Sequence, residues 1–533
     1  MGKTSIEIFG GINTIGGNKI CVKASNDTAI LLDFGMDFGV SKAFTDSFLK
    51  LRDKEYIIDG LSIDMLPMPT GILVNLYRQD LMLHSQDDLK DAFNITYTYN
   101  AVPLITEVAL SHVHTDHMGL IRYLNSKIKL VLGTTSYALL EHFNAIAKEN
   151  SSFRGVNECK LVYKTDKGKT VYDDKAENKE RPYEALADGQ ITKVANGGMD
   201  LCFYETDHSI PGAGGFLLLD NASKKKIVYT GDIRMHGPLA AKAQAFIDAA
   251  REFKPDVLII EGTRLGRDAD DINLPDELSV KNEIIGILKK IKSSGQKSLI
   301  FFECSGRDVW RFQTFYEAAK AVDRKLVIDA DIYLLIEACQ KAGIPGLSSI
   351  DLKNVYIYLY KANTGMYQPK DYSKCIEMAE ALTDPITSAD DPKYKRFNFK
   401  LRNFLKAEDI RAHPELYVMY LSFFSLNELP DLRPPKDSHY IKSMSEPFDD
   451  EAIIDDRKRS NWLEKFGIPE PNCHQVHCSG HADPDTLKKI IISIAPKVVI
   501  PVHTLHPEMF QTMGLPATIK VKLLKTGEKF EIP

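Results

Sequence analysis

Paired cysteine is missing from this chain. Its eight cysteines (Cys21, Cys159, Cys202, Cys304, Cys339, Cys375, Cys473 and Cys478) are scattered through 533 residues, and no two form a C-x-x-C pair. That argues against a zinc ribbon or a disulfide framework and fits a reducing, cytoplasmic setting. Long apolar runs are missing too. None approaches the ~20 residues that span a bilayer, so no membrane partner is expected. The N-terminal MGKTSIEIFGG lacks the basic and then apolar blocks of a secretory signal. Met1-Gly2 begins like a myristoylation site, but Ser5 does not complete the usual pattern. There is no excess of positive charge. A net charge of −6 argues against a protein that coats duplex nucleic acid and confines any such contact to a groove or a metal site. Internal repeats and low-complexity tracts are absent.

What remains is ordinary globular composition, 44% hydrophobic and 26% charged, in a chain too long for one core. Six apolar runs read as strands, and each ends on a polar residue able to do chemistry. They are AILLD to Asp33, EVALSH to His112, LCFYETDH to His208, IVYTGD to Asp232, VLIIE to Glu261 and KVVIPVH to His503. Strands rich in Val, Ile and Leu suit a covered sheet, and ligands at strand ends are held on rigid elements. Six such runs point to one site assembled from distant parts of the chain.

Between Leu274 and Asn472 the rhythm changes. Val280, Ile284, Ile287, Leu288 and Ile291 mark a helix. Strands (SLIFFEC, KLVIDA, VYIYLY) and helices (Asp308 to Val322, Ile332 to Ala342) then alternate, as in a parallel α/β sheet. The expected organisation is therefore a first domain at 1–270, an inserted α/β domain at 271–472, and the rest of the first domain at 473–533. The charged stretch from Lys164 to Lys193 reads as an exposed excursion, and Ser41 to Tyr99 as a loop-like addition.

The run S-H-V-H-T-D-H-M-G places four possible ligands within six residues. Imidazole and carboxylate suit zinc, and also manganese or iron. His112 and His114 are two apart, so on an extended segment they point the same way. Asp116 and His117 would sit on the turn opening the next helix and face a neighbouring ion. A chance cluster of surface histidines is the competing reading. The specific spacing after a strand disfavours it.

This run resembles the signature H-x-H-x-D-H of the metallo-β-lactamase fold. The resemblance implies an αββα sandwich and further ligands. His208 (TDHSIPG) matches the third-motif histidine, Asp232 (YTGD) the bridging acid, and Asp33 (LLDFG) the acid that orients ligands from behind. True β-lactamases carry cysteine at the bridging position, which points away from antibiotic hydrolysis. Glu261 (EGT), His481 (HCSGHAD) and His503 (PVHT) resemble the three extra motifs of the β-CASP nucleases, whose inserted α/β domain lies where the alternating segment lies here. FGGINTIGGN and DHSIPGAGG resemble ribonuclease J, whereas E-G-T is closer to the endonuclease branch. The chain continues for only 30 residues past His503, so ribonuclease J's C-terminal domain is expected to be missing. A homodimer remains the assembly the family suggests.

The resemblance implies two divalent ions, zinc with manganese as the alternative. One would take His112, His114, His208 and Asp232; the other Asp116, His117, His503 and shared Asp232. Such a pair clamps a phosphate and acidifies a water. His481 is the candidate general acid, held by Glu261, since imidazole titrates near neutrality. Ser479, Gly480 and Ala482 precede a helix capped by Asp483-Pro484 and are expected to cradle a phosphate. A plain capping role for His481 competes, though a cap needs no histidine. Ser305 and Arg307 (in Cys304-Ser305-Gly306-Arg307) and Ser445 (in Ser443-Met444-Ser445-Glu446) are candidates for a second phosphate contact, weighed equally against ordinary caps. Arg264 and Arg267 are more readily solvated surface, and Trp310 reads as core. His142, His236, His413 and His506 read as structural. The expected function is a nuclease acting on single-stranded RNA, with DNA as the alternative. The competing classes are a small-ester or phosphodiester hydrolase and a metal-free scaffold subunit.

Overall fold

This computed structural model describes residues 2–46, 48–53, 55–78, 81, 86–95, 102–146, 153, 156, 158–160, 163–166, 169–172, 178–267, 274–361, 403–445 and 450–533. Glu446, named above, lies outside them. The fold is mixed α/β. The chain divides into two compact units, the first made of Met1–Met235, Leu239–Arg267 and Gly480–Pro533, the second of His236–Pro238 and Asp268–Ser479. The strand Cys473–Gln475 pairs with His439–Lys442 in the second unit's sheet, so the chain re-enters the first unit at Gly480 and not at 473.

The first unit holds two seven-stranded sheets. One runs, edge to edge, Tyr183–Leu186, Lys129–Gly133, Ile105–Leu110, Ala29–Leu32, Lys19–Lys23, Ser5–Gly10 and Lys529–Glu531. The other runs Ile191–Val194, Met199–Glu205, Gly214–Asp220, Lys226–Tyr229, Val257–Glu261, Val498–Val502 and Lys520–Val521. Their facing side chains form one core, with Ile20, Val22, Ile30, Leu32 and Val131 meeting Leu201, Phe203, Phe216, Tyr229, Ile259 and Ile500. Val228, Leu258, Ile260 and Val499 point the other way, against Phe246, Ile247, Leu487, Ile490 and Ile491 of the helices Ala240–Phe253 and Pro484–Ile494. Both faces of these strands are covered, which is why the runs are continuously apolar and do not alternate. Burying each Leu or Ile contributes about 1.5–3 kcal/mol. The helix Thr134–Ile146 packs on the first sheet, completing a helix–sheet–sheet–helix layering.

The stretch Lys164–Lys193 is only partly an excursion. Tyr183–Leu186 pairs in parallel with Lys129–Gly133, and Ile191–Val194 pairs with Met199–Glu205, so each closes a sheet edge. Edge strands keep one row of backbone groups in water and tolerate the charges that made the stretch read as loop.

In the second unit a seven-stranded, all-parallel sheet runs Phe404–Leu405, Val355–Tyr358, Lys325–Ile328, Tyr417–Tyr420, Ile300–Glu303, His439–Lys442 and Cys473–Gln475. Helices Glu277–Ser293, Val309–Ala321 and Ala330–Lys341 fall where the periodicity placed them. Trp310 is buried, its indole N–H donating to Pro345 O at 3.1 Å. Among the described residues, no helix is long and apolar enough to cross a membrane.

Candidate metal centre

All six polar-ended runs finish on one edge of the first unit's sheets. Ala29–Leu32 and Ile105–Leu110 are parallel neighbours. Lys226–Tyr229, Val257–Glu261 and Val498–Val502 are parallel to one another. Met199–Glu205 shares their direction, because both it and Lys226–Tyr229 are antiparallel to Gly214–Asp220. The residues just past these carboxyl ends form a buried cluster in which His112, His117, His208, Asp232, Glu261 and His503 are all nearly inaccessible to solvent.

The donor atoms converge in two sets. His114 Nδ1 lies 3.0 Å from His112 Nε2 and 3.2 Å from His208 Nε2. Asp232 Oδ2 is 3.7 Å from the first of these Nε2 atoms and 3.6 Å from the second. On the other side, Asp116 Oδ2 is 3.2 Å from His503 Nε2 and 3.9 Å from His117 Nε2. Asp232 Oδ2 lies 3.2 Å from His117 Nε2, and Asp232 Oδ1 lies 3.8 Å from His503 Nε2. Ligands held about 2.0–2.2 Å from one ion in a tetrahedron stand roughly 3.3–3.6 Å apart, so these spacings suit a shared cation.

The backs of four of the rings are fixed. Nδ1 of His112 meets Ser111 Oγ at 3.1 Å, that of His117 meets Asp33 Oδ2 at 2.8 Å, that of His208 meets Gly480 O at 2.6 Å, and that of His503 meets Thr263 Oγ1 at 2.8 Å. A ring that donates from Nδ1 presents a lone pair at Nε2, the form a metal needs. Asp33 anchors this scaffold by accepting also from Ser111 N, Ser111 Oγ and the Tyr229 hydroxyl.

Among the buried side-chain atoms of the described residues that lack a hydrogen-bond partner, two face the centre: His117 Nε2 and Asp232 Oδ1. Buried polar atoms are normally satisfied, so these fit a bound cation. The electrostatics agree. Burial drives the His112 and His208 imidazoles well below their ordinary value, toward the neutral ligand form. Burial also opposes charge on Asp232, yet the His117 and His503 rings hold its carboxyl well below the usual range. His117 is held well above its ordinary value, against burial, by Asp232, Asp116 and Asp33. The buried carboxylates demand positive charge, and a divalent cation would supply it.

His481 stands beside the cluster and is partly exposed. Its Nδ1 is 3.0 Å from Glu261 Oε1 and Oε2 and 3.9 Å from Asp232 Oδ2. Glu261 is itself locked, accepting from Ile233 N at 2.9 Å and from the Thr263 hydroxyl at 2.6 Å.

One phosphate contact expected from the sequence does not survive. Ala482 N–H donates to Ile233 O at 2.8 Å and is fully buried, so it has nothing to offer a phosphate. Gly480 serves through its carbonyl, which orients His208. Ser305, Arg307, Ser445 and Ser479 belong to the second unit. Ser305 and Ser445 are exposed there, past the carboxyl ends of the neighbouring strands Ile300–Glu303 and His439–Lys442.

The motifs did not single out Ser111, Thr263 and Tyr229 as supports. Their only sequence signal was a hydroxyl beside or near a ligand. The glycine-rich GGINTIGGN has a steric reason. A Cβ on Gly16, which has a φ of +81°, would lie 2.6 Å from Asp116 Cβ, and one on Gly35 would strike Asp116 O.

The chain is thus a mixed α/β protein with one all-parallel sheet and a buried His/Asp cluster that could hold a metal ion. No protein-family model and no curated protein matches it. Among solved structures it is similar to a protein of unknown function from Enterococcus faecalis V583, at 22% identity and a TM-score of 0.65 over 99% of both chains. That likeness shows a shared fold and says nothing of activity. A metallo-β-lactamase fold protein, YhfI from Bacillus subtilis, matches 50% of this chain and 75% of its own at 14% identity. Its TM-score of 0.26 is too low to carry an argument about this chain.

Proposed function

We propose that this chain is a metal-dependent nuclease with a metallo-β-lactamase-like catalytic unit and a β-CASP-like inserted unit, cleaving phosphodiester bonds of single-stranded RNA. The observation that carries the reading is the pairing of two four-atom donor sets sharing Asp232 with a His481–Glu261 pair 3.9 Å away. His112, His114, His208 and Asp232 would hold one ion, and Asp116, His117, His503 and Asp232 the other, with zinc the ion that best suits these donors. When bound, such ions clamp a phosphate and lower the pKa of a water. The residues of the chain do the rest. Asp33, Ser111, Gly480 and Thr263 keep the rings oriented. The Glu261 carboxylate accepts from His481 Nδ1 and stabilises the imidazolium, leaving Nε2 to hand a proton to the departing 3′ oxygen. The expected products carry 5′-phosphate and 3′-hydroxyl ends. The resemblance of the Glu261, His481 and His503 motifs to those of the β-CASP nucleases, together with the inserted α/β unit, supports a polymeric substrate over a small ester.

The test is to incubate the full chain, loaded with zinc or manganese, with 5′-labelled single-stranded RNA and matching DNA. Metal-dependent RNA cleavage with a chelator-sensitive product ladder is expected. Cleavage of DNA alone would move the substrate class. A chain that binds metal but cuts neither polymer would overturn the nuclease reading in favour of a small-molecule hydrolase.

A further inference from the structure

Thr263 is 5% exposed and sits between two groups that both need a partner. Its hydroxyl lies 2.6 Å from Glu261 Oε2 and 2.8 Å from His503 Nδ1. A threonine hydroxyl carries one hydrogen. Glu261 as a carboxylate can only accept, and it is the shorter contact, so the hydrogen goes to Glu261. The Thr263 oxygen can then only accept from His503, which puts the second hydrogen on His503 Nδ1. Nε2 is then the nitrogen left for a cation, with Asp116 Oδ2 3.2 Å and Asp232 Oδ1 3.8 Å away. The donor logic repeats at Ser111, whose hydroxyl lies 2.8 Å from Asp33 Oδ2 and 3.1 Å from His112 Nδ1. The two hydroxyls differ in what stands behind them. Asp33 has no catalytic partner, whereas Glu261 also holds His481 at 3.0 Å.

We infer that Thr263 is a positioning residue that sets the tautomer of His503 and ties this ligand to the Glu261–His481 pair through one hydrogen-bond chain. The inference rests on the metal-centre part of the proposed function. Loss of the hydroxyl frees the His503 ring to turn and to protonate at Nε2, so the ion on the Asp116–His117–His503 side is weakened while the His112–His114–His208 side is untouched. His503 is primed to depend on such support, because its backbone sits in the left-handed region at φ 53°, which a non-glycine residue occupies only when its surroundings hold it there.

The experiment compares Thr263→Val, Thr263→Ala and Thr263→Ser in the full chain. Zinc stoichiometry is measured by elemental mass spectrometry, and the affinity of each ion by competition with a chromophoric chelator. Circular dichroism of the metal-free proteins checks the fold. Loss of ligand support of this kind costs about 10- to 100-fold in metal affinity. The expected result is that the valine and alanine variants bind one of two ions about 10- to 100-fold more weakly, with the other unchanged, and that serine restores it. Folded valine and alanine variants with wild-type affinity at both sites would overturn the inference, as would equal weakening of both ions. A wild-type chain that binds zinc but cuts no RNA would sink the nuclease reading and leave this result standing; one that binds no metal would sink both.

Discussion

Both oxygens of Glu261 lie 3.0 Å from His481 Nδ1, so this carboxylate grips the ring symmetrically. The ring itself is only partly covered, its side chain 20% exposed, while the glutamate is buried at 1%. A buried carboxylate behind an accessible imidazole is what the proposed proton donor requires.

Replacing His481 by alanine should therefore leave metal content unchanged, since its Nδ1 is committed to Glu261. On the proposed nuclease reading, turnover of RNA should fall by roughly 10²- to 10⁴-fold, the range a general acid contributes, with little change in KM. Steady-state kinetics beside elemental analysis checks both. Wild-type kcat in this variant would remove His481 from the chemistry.

Asp232→Ala should behave differently. Its carboxylate is the group within 3.8 Å of ring nitrogens on both sides of the centre. Without it, His112 and His208 lose an anion on one side, and His117 and His503 on the other. Metal analysis should find both ions depleted and activity gone. Full occupancy of either ion would contradict the shared role.

Much of this cluster was legible because its candidate ligands end strands. Val257–Glu261 and Val498–Val502 announce themselves by continuous apolar runs, and parallel pairing then forces Glu261 and His503 onto one edge. The supports were harder to read. Thr263 and Ser111 matter through one hydroxyl hydrogen, and no periodicity encodes where that hydrogen points. Ala482 shows the converse failure. Its place before a helix suggested a phosphate contact, and only the tertiary pairing of its N–H with Ile233 O shows that the donor is spent. Tyr183–Leu186 was hidden because an edge strand is permitted the charges of a loop.

Asp33 is the test of how far support and stability are linked. Four donors converge on its carboxylate: Ser111 N at 2.7 Å, Ser111 Oγ at 2.8 Å, His117 Nδ1 at 2.8 Å and the Tyr229 hydroxyl at 2.6 Å. Its backbone is left-handed, φ 58°, which asparagine also tolerates. Asp33→Asn therefore keeps the backbone and turns an amide N–H₂ toward buried donors. Each stranded donor costs about 1–3 kcal/mol. A loss of roughly 2–5 kcal/mol is expected in urea unfolding of the metal-free chain, together with weaker zinc binding at the His117 side. An unchanged unfolding midpoint would show that the network is not what holds this edge together.

Lys19 offers a prediction with a pH sign. It is fully buried under the GGINTIGGN loop, with its Nζ donating to Gly17 O at 3.1 Å and the Phe34 ring 5.9 Å away. Burial pulls its pKa down from 10.5 to about 8, with Asp37 opposing. The unfolded chain thus binds a proton more tightly than the folded one. Below pH 8 both states are charged, and the full cost of burying the ammonium is present. As pH rises from about 8 toward 10.5 the folded state releases its proton first, so stability climbs through that window. The cost corresponds to about 3 kcal/mol. Lys19→Met keeps the length and removes the charge. It should stabilise the chain at pH 7 by about 1–3 kcal/mol, the lower end allowing for the lost bond to Gly17 O. The gain should shrink above pH 9. Urea unfolding at pH 7 and pH 9.5 measures both. A methionine variant less stable than wild type at pH 7 would mean that the ammonium's hydrogen bond and its attraction to Asp37 outweigh its desolvation.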